Sequence, residues 1–98
     1  MTKDELEQDI NKLIEYQYYP NIDRLYDDVE KYLQLLQNHG NISEYAIVKS
    51  KNIASDGTTF PCVKASIKPD LSSNIMWAVE LILNNGHNNY DYAMKILG

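Results

Sequence analysis

Four side chains have types and spacings that could support catalysis: His39, Cys62, His87 and Asp91. His87 stands four residues before Asp91, and a carboxylate can orient a histidine as a general base. No motif places a nucleophile beside this pair, so we interpret the segment as a helix cap. An enzyme that uses His87 and Asp91 is therefore the third of three functional hypotheses.

The remaining two candidates have simpler structural interpretations. His39 falls in the last turn of a predicted helix, where a cation suits the helix dipole. Cys62 follows Pro61 in a predicted strand, and a single strand cysteine is typical of a small buried apolar residue. The chain contains no CxxC, HExxH, GxGxxG, Walker or EF-hand pattern. We predict a non-enzymatic protein with no catalytic residues, no cofactor and no metal.

The charge of the chain is unevenly distributed. Its 98 residues carry a net charge of −5, of which residues 1–44 contribute −6 and residues 45–98 contribute +1. Nucleic acid phosphates repel an acidic protein, so we expect no direct binding of DNA or RNA. The single cysteine, the polar N-terminus and the absence of a long apolar run predict a cytoplasmic protein that does not bind membranes.

The first half of the chain has the pattern of two helices in a single domain that spans residues 1–98. Thr2 and Glu5 form a capping-box pattern at the start of a helix that ends before Pro20. Asn21 can cap a second helix, which Gly40 closes. Its apolar stripe consists of Ile22, Leu25, Tyr26, Val29, Tyr32, Leu33 and Leu36. Because the connection is short, we predict an αα-hairpin.

The second half begins with a predicted two-stranded antiparallel β-hairpin, formed by two β-prone stretches on either side of Asp56-Gly57. Residues 71–85 fit either a nearly continuous apolar strand or a helix with one wide apolar face, and we favour the helix. Residues 89–97 fit a short C-terminal helix. The prediction is an α+β fold of order ααββαα. A lone hairpin is marginal in water, so two copies pairing through its edge is one alternative.

Three carboxylates of the second helix, Asp23, Asp27 and Glu30, are spaced to share one side next to the apolar stripe. The functional interpretation is a patch that imitates phosphates and occupies a basic groove of a nucleic-acid-binding protein. The alternative is a solvated helix face that keeps the domain in solution.

Tyrosine occurs eight times, against one Phe and one Trp. Tyr16, Tyr18 and Tyr19 cluster at the end of the first helix, and tyrosine is enriched in protein interfaces. We predict that these three rings are packing anchors for the partner protein, with a tyrosine-rich core edge as the alternative.

The leading hypothesis is therefore a small inhibitor or immunity-type protein, with an anti-CRISPR-like or toxin-neutralising role. Abundant Lys, Asn, Ile and Tyr indicate an A/T-rich gene, as in a low-GC bacterium or its phage.

A second hypothesis comes from residues 67–69, with the sequence Ile-Lys-Pro, followed by Ser72 and Asn74. This stretch resembles the strand-turn-strand near the C-terminus of contractile phage tail-sheath proteins. The resemblance implies a strand at residues 74–84 and a structural subunit of a phage particle. The segment after Gly86 departs from that pattern.

Overall fold

The computed structural model of this chain describes residues 1–14, 19–72 and 74–83, and the backbone alone of residues 90–97. Two helices come first and strands follow. The elements are α1 (Lys3–Ile14), α2 (Ile22–Asn38), β1 (Glu44–Ile53), β2 (Thr59–Lys68), β3 (Met76–Leu83) and β4 (Tyr90–Leu97). The strands form one antiparallel sheet in the order β1-β2-β3-β4.

Both helices begin where the capping residues predict. The Glu5 amide donates to the Thr2 hydroxyl and the Thr2 amide donates to the Glu5 carboxylate, each at 3.2 Å, which is the reciprocal capping box. The Arg24 amide donates to the Asn21 side chain at 3.1 Å and so caps α2. These bonds satisfy amides that lack intrahelical partners and stabilise each helix by about 1 kcal/mol.

The C-terminus of α2 reverses the chain sharply. Gly40 has a φ of 76°, its amide donates to the Gln37 carbonyl, and the Asn41 amide donates to the Leu36 carbonyl. This pair of bonds is the Schellman motif, whose left-handed residue glycine adopts most easily. The Gln37 side chain also donates to the Ser43 carbonyl at 3.1 Å. Because the connection is so short, α2 and β1 run in opposite directions.

β1 and β2 form the hairpin that Asp56-Gly57 predicts, but as part of a larger sheet. Gly57 has a φ of 89° in the connecting turn, and Asp56 accepts a hydrogen bond from the Thr58 amide. Pro61 lies opposite Lys51 of β1, while pairing with β3 starts only at Cys62. Pro61, which has no amide proton, thus lies at a position where β2 pairs with β1 but not with β3.

The predicted order ααββαα is wrong, because strands follow the hairpin where we expected C-terminal helices. Residues 76–83 form β3 and not part of a helix at 71–85, and residues 90–97 form β4 in place of the short helix expected at 89–97. The strand that the tail-sheath resemblance implied at 74–84 agrees with β3. The hairpin is therefore two strands of a larger sheet, as a marginal two-stranded ribbon requires.

Burial in β3 explains the error. A helix over residues 71–85 would place Ile75, Met76 and Val79 on its apolar face, but Ile75 and Met76 are exposed. The chain instead buries every second residue, with the intervening ones only partly covered, and this period of two belongs to a strand. The buried positions are Trp77, Val79, Leu81 and Leu83.

One face of the sheet carries the core. Both helices place apolar side chains against this face, and α2 lies over β1 and β2. The buried side chains of the sheet on this face are Val63, Ala65, Ile67, Trp77, Val79, Leu81 and Leu83, and those of the helices are Leu6, Ile10, Ile14, Leu25, Val29, Leu33 and Leu36.

We expect Leu33→Ala to lower the free energy of unfolding by about 2–5 kcal/mol, because Leu33 is fully buried and alanine leaves a cavity. Leu35→Ala is the matched control on the same helix. Leu35 is 55% exposed, so its truncation is expected to change stability by less than about 0.5 kcal/mol. Urea unfolding measures both, and equal losses in the two variants would contradict this placement of α2.

Candidate functional site

Helix α2 has two polar flanks with different neighbours. Asp23, Asp27 and Glu30 lie on the flank next to β1, and we call these three residues the acidic flank. Lys49 of β1 contacts Asp23 and is influenced by the charge of Asp27, and Glu30 and Lys49 both act on Tyr26. The opposite flank faces α1, because Tyr32 donates a hydrogen bond to Asp9 of that helix. The predicted acidic patch is therefore located beside the first strand of the sheet.

Lysine 49 of β1 crosses from the sheet to the acidic flank. Its ammonium group donates to the Asp23 carboxylate at 2.8 Å and lies 5.3 Å from the centre of the Tyr26 ring. Hydrogen bonding to Asp23 and the charge of that carboxylate raise the pKa of Lys49. Asp23 stays 67% exposed in this ion pair, so water and a partner can still reach its carboxylate. Exposed pairs of this kind contribute less than about 1 kcal/mol to stability.

The other two members of the acidic flank differ in their surroundings. Hydrogen bonding to the Glu30 carboxylate, followed by burial, raises the pKa of the Tyr26 hydroxyl. Glu30 is half-buried, whereas Asp27 is exposed. The flank thus presents three carboxylates, of which Asp23 pairs with Lys49, and it can attract cationic groups while Tyr26 supplies an aromatic surface next to them.

Of the three tyrosines predicted as anchors at the end of α1, the structure describes one, and that residue is buried. Tyr16 and Tyr18 lie outside the described residues. Tyr19 is only 3% exposed, and its hydroxyl donates to Asp28 at 2.8 Å. Its ring belongs to the core in this structure, which agrees with the alternative of a tyrosine-rich core edge for this one residue.

A second polar cluster lies on the face of the sheet opposite the helices. The Asn52 side chain of β1 donates to Glu80 of β3 at 2.9 Å, and Lys64 of β2 lies 3.5 Å from the same carboxylate. Asn52 is paired with Phe60 and Glu80 with Lys64, the residues two positions before and after Cys62 on β2, so this bond runs diagonally across β2 near the cysteine. Cys62 is buried, and burial followed by the charge of Glu80 raises the pKa of its thiol. A protonated, covered thiol is a poor nucleophile.

Among the described residues, no group of three or more His, Cys, Asp or Glu side chains could hold a metal ion. His39 is the C-cap residue of α2, as its position in the last turn predicted. His87 lies outside the described residues, and Asp91 is described only as a backbone position of β4 opposite Ile82. Within the described part of the chain, no helix is long and apolar enough to cross a membrane.

Sequence reasoning missed Lys49 and Tyr26 as parts of the site. From the sequence, lysines on predicted strands are typical of protection against edge aggregation, and Tyr26 is a member of the apolar stripe. The available signal was strand alternation: Lys49 falls on the same face as Tyr45 and Ile47, which pack against the core beneath α2.

We expect Tyr32→Phe to remove about 1 kcal/mol of stability at neutral pH, through loss of the hydrogen bond to Asp9. Burial, followed by that bond, raises the pKa of Tyr32 above its ordinary value of 10.0. The folded state therefore retains the hydroxyl proton more strongly than the unfolded chain does. Its stabilising effect is complete below pH 10.0 and declines above it. Urea unfolding of both proteins should show their difference shrinking above that pH, and a constant difference would contradict the assignment.

We expect native Cys62 to react with a thiol-specific disulfide reagent on the order of a hundredfold more slowly than in the urea-unfolded chain, because reaction requires local opening. Asn52→Ala removes one end of the bond across β2 and should speed the native reaction. Thr59→Ala, at an exposed position of the same strand as Cys62, is the control and should leave the rate unchanged. Equal rates in native and unfolded protein would show that the thiol is open to solvent.

Searches against protein-family models, curated proteins and solved structures each found no match to this chain.

Proposed function

We propose that this chain is a non-catalytic protein-binding domain, whose acidic flank docks on a basic, nucleic-acid-binding surface of a partner protein. The observation that supports the proposal is the position of the flank. Its carboxylates lie on the side of α2 that α1 leaves uncovered, next to the outermost strand of the sheet. The flank is thus held by the core below it and is accessible from outside.

The charges of this surface favour a protein partner over a nucleic acid. The chain as a whole carries −5, and Asp23, Asp27 and Glu30 are grouped within two turns of one helix. Such a group attracts lysine and arginine side chains and repels phosphates. A helix that presents carboxylates at regular spacing can occupy the groove in which a partner otherwise holds a phosphate backbone. The biological result would be inhibition, as in an immunity, toxin-neutralising or anti-CRISPR-like protein encoded by a bacterium or phage.

The positions of the tyrosine rings change which tyrosine we expect at the proposed interface. Tyr26 borders the acidic flank, since the centre of its ring lies 5.3 Å from the Lys49 ammonium group and its hydroxyl bonds to Glu30, whereas the ring of Tyr19 is enclosed in the core. We therefore assign Tyr26 the anchoring role on this side of α2. Tyr16 and Tyr18 remain the anchors expected from the sequence.

The proposal is tested by affinity capture from the organism that encodes the chain, followed by mass spectrometry and by titration of the purified partner. Replacing the acidic flank by Asp23→Asn, Asp27→Asn and Glu30→Gln should weaken the one-to-one complex by about ten- to hundredfold. Binding by the native chain should also weaken as salt is raised to about 0.5 M, because exposed charges are screened.

The matched control is the triple variant Asp4→Asn, Asp56→Asn and Asp70→Asn. Both triple variants remove three negative charges and change the net charge from −5 to −2, and the control residues are exposed. The control variant should bind normally. Equal weakening by the two variants would show that binding depends on total charge and not on the position of the acidic flank. Normal binding by the acidic-flank variant would refute the proposal.

An assembly subunit is the second candidate, and one observation favours it: β3 occupies the position where the resemblance to tail-sheath proteins implies a strand. This candidate predicts self-association of the purified chain into rings or larger particles. Light scattering at increasing protein concentration distinguishes it from a domain that binds a different protein one to one.

A further inference from the structure

β1 is the terminal strand of the described sheet, so one of its edges pairs with no strand among the described residues. Residue pairs in an antiparallel ladder alternate between hydrogen-bonded and non-hydrogen-bonded positions. The Ala54 amide donates to the Thr58 carbonyl at 2.8 Å, which sets the phase of this alternation along the hairpin. The odd-numbered residues of β1 therefore direct their amides and carbonyls away from β2. They are Tyr45, Ile47, Lys49, Lys51 and Ile53.

This edge has one of the features that usually block an edge strand, lysine side chains, and lacks the others. Natural edge strands are commonly short, bulged, interrupted by proline or lined with charged side chains. β1 instead pairs with β2 in unbroken register from Glu44 to Ile53 and contains no proline. Val48 and Ile53 are 55% and 71% exposed. Lys49 and Lys51 are the side chains of β1 that discourage pairing with another strand, and Lys49 already pairs with Asp23.

We propose that an extended, basic segment of the partner protein adds to the sheet as a strand alongside β1. This inference rests on the proposed function for the charge of the partner. Neighbouring strands lie about 4.8 Å apart, so the new strand would lie immediately beside β1 and below the acidic flank. Its backbone would bond to the outward groups of β1, and every second side chain would point towards Asp23, Asp27 and Glu30.

Charge favours a basic segment of a different protein, rather than a second copy of the chain, as the strand added beside β1. The acidic flank and β1 together contain four carboxylates, those of Asp23, Asp27, Glu30 and Glu44, and two lysines, at positions 49 and 51. Pairing two β1 edges about a twofold axis would bring two such surfaces, each of charge −2, against one another. A strand with lysine or arginine at alternate positions supplies the missing positive charge instead.

The probe is a synthetic peptide of about nine alternating lysine and threonine residues, which spans β1 in extended form. It is titrated into the full isotope-labelled chain, and amide hydrogen exchange is followed by NMR. Exchange should slow at residues 45, 47, 49, 51 and 53, while the even-numbered amides, already bonded to β2, change little. A peptide with glutamate in place of lysine, and one with alternate N-methylated amides, should give no protection. Uniform or absent protection with the lysine peptide would overturn the inference.

A pair of variants tests the backbone directly. Lys51→Pro removes one outward amide without removing a bond to β2, and should weaken peptide binding by about three- to tenfold. Lys51→Ala removes the same charge and keeps the amide, so it should not weaken binding. Equal effects of the two variants would show that the peptide contacts side chains alone.

Two further outcomes separate this inference from the proposed function. If the acidic-flank variant loses the native partner but Lys51→Pro binds it normally, strand addition is wrong and the proposed function stands. If the odd-numbered amides become protected at high protein concentration without peptide, the occupant of the edge is a second copy, and the inference of a basic foreign segment is overturned.

Discussion

Burial of the apolar stripe of α2 against β1 and β2 is the contact on which the other features depend. Leu25, Val29 and Leu33 are almost completely excluded from water, and they face the inward side chains of the first two strands. This contact fixes the rotation of the helix about its axis. Once that rotation is set, one polar flank of α2 faces α1 and the other lies beside β1, the outer strand of the sheet. The acidic flank is therefore a consequence of the core and needs no separate positioning device.

The carboxylates of the two helices divide into two groups by their partners. Asp9 and Asp28 accept hydrogen bonds from Tyr32 and Tyr19, so these acids hold parts of the helical layer together. Asp23 pairs with the exposed Lys49, and Asp27 is exposed. A count of acidic residues along the helices does not distinguish the acids bonded to tyrosines from the exposed acids. Only the three-dimensional arrangement shows which negative charges serve the fold and which remain accessible to another molecule.

Local signals in the sequence predicted the helices and the hairpin well, because caps, glycine turns and Asp-Gly act over a few residues. The same reasoning failed at residues 71–85 and at residues 89–97, where the patterns predict helices and strands are found. A stretch such as Trp77–Leu83 is apolar at nearly every position, so its period is hidden, and only the need of β2 for a second neighbour selects a strand. For the site, the spacing of Asp23, Asp27 and Glu30 was visible in the sequence. Their proximity to Lys49 depends on the antiparallel course of α2 and β1, which no single pattern encodes.

The tight reversal at Gly40 also influences the order in which the domain can assemble. With turns of only a few residues at 39–43 and 54–58, α2, β1 and β2 are linked by contacts close in sequence, and such contacts form quickly. During synthesis this unit emerges from the ribosome before β3 does. The side of β2 that later pairs with β3 is then temporarily open, with Val63 and Ile67 lacking their final neighbours. Until β3 pairs with it, this side of β2 is the part of the newly made hairpin most prone to mispairing.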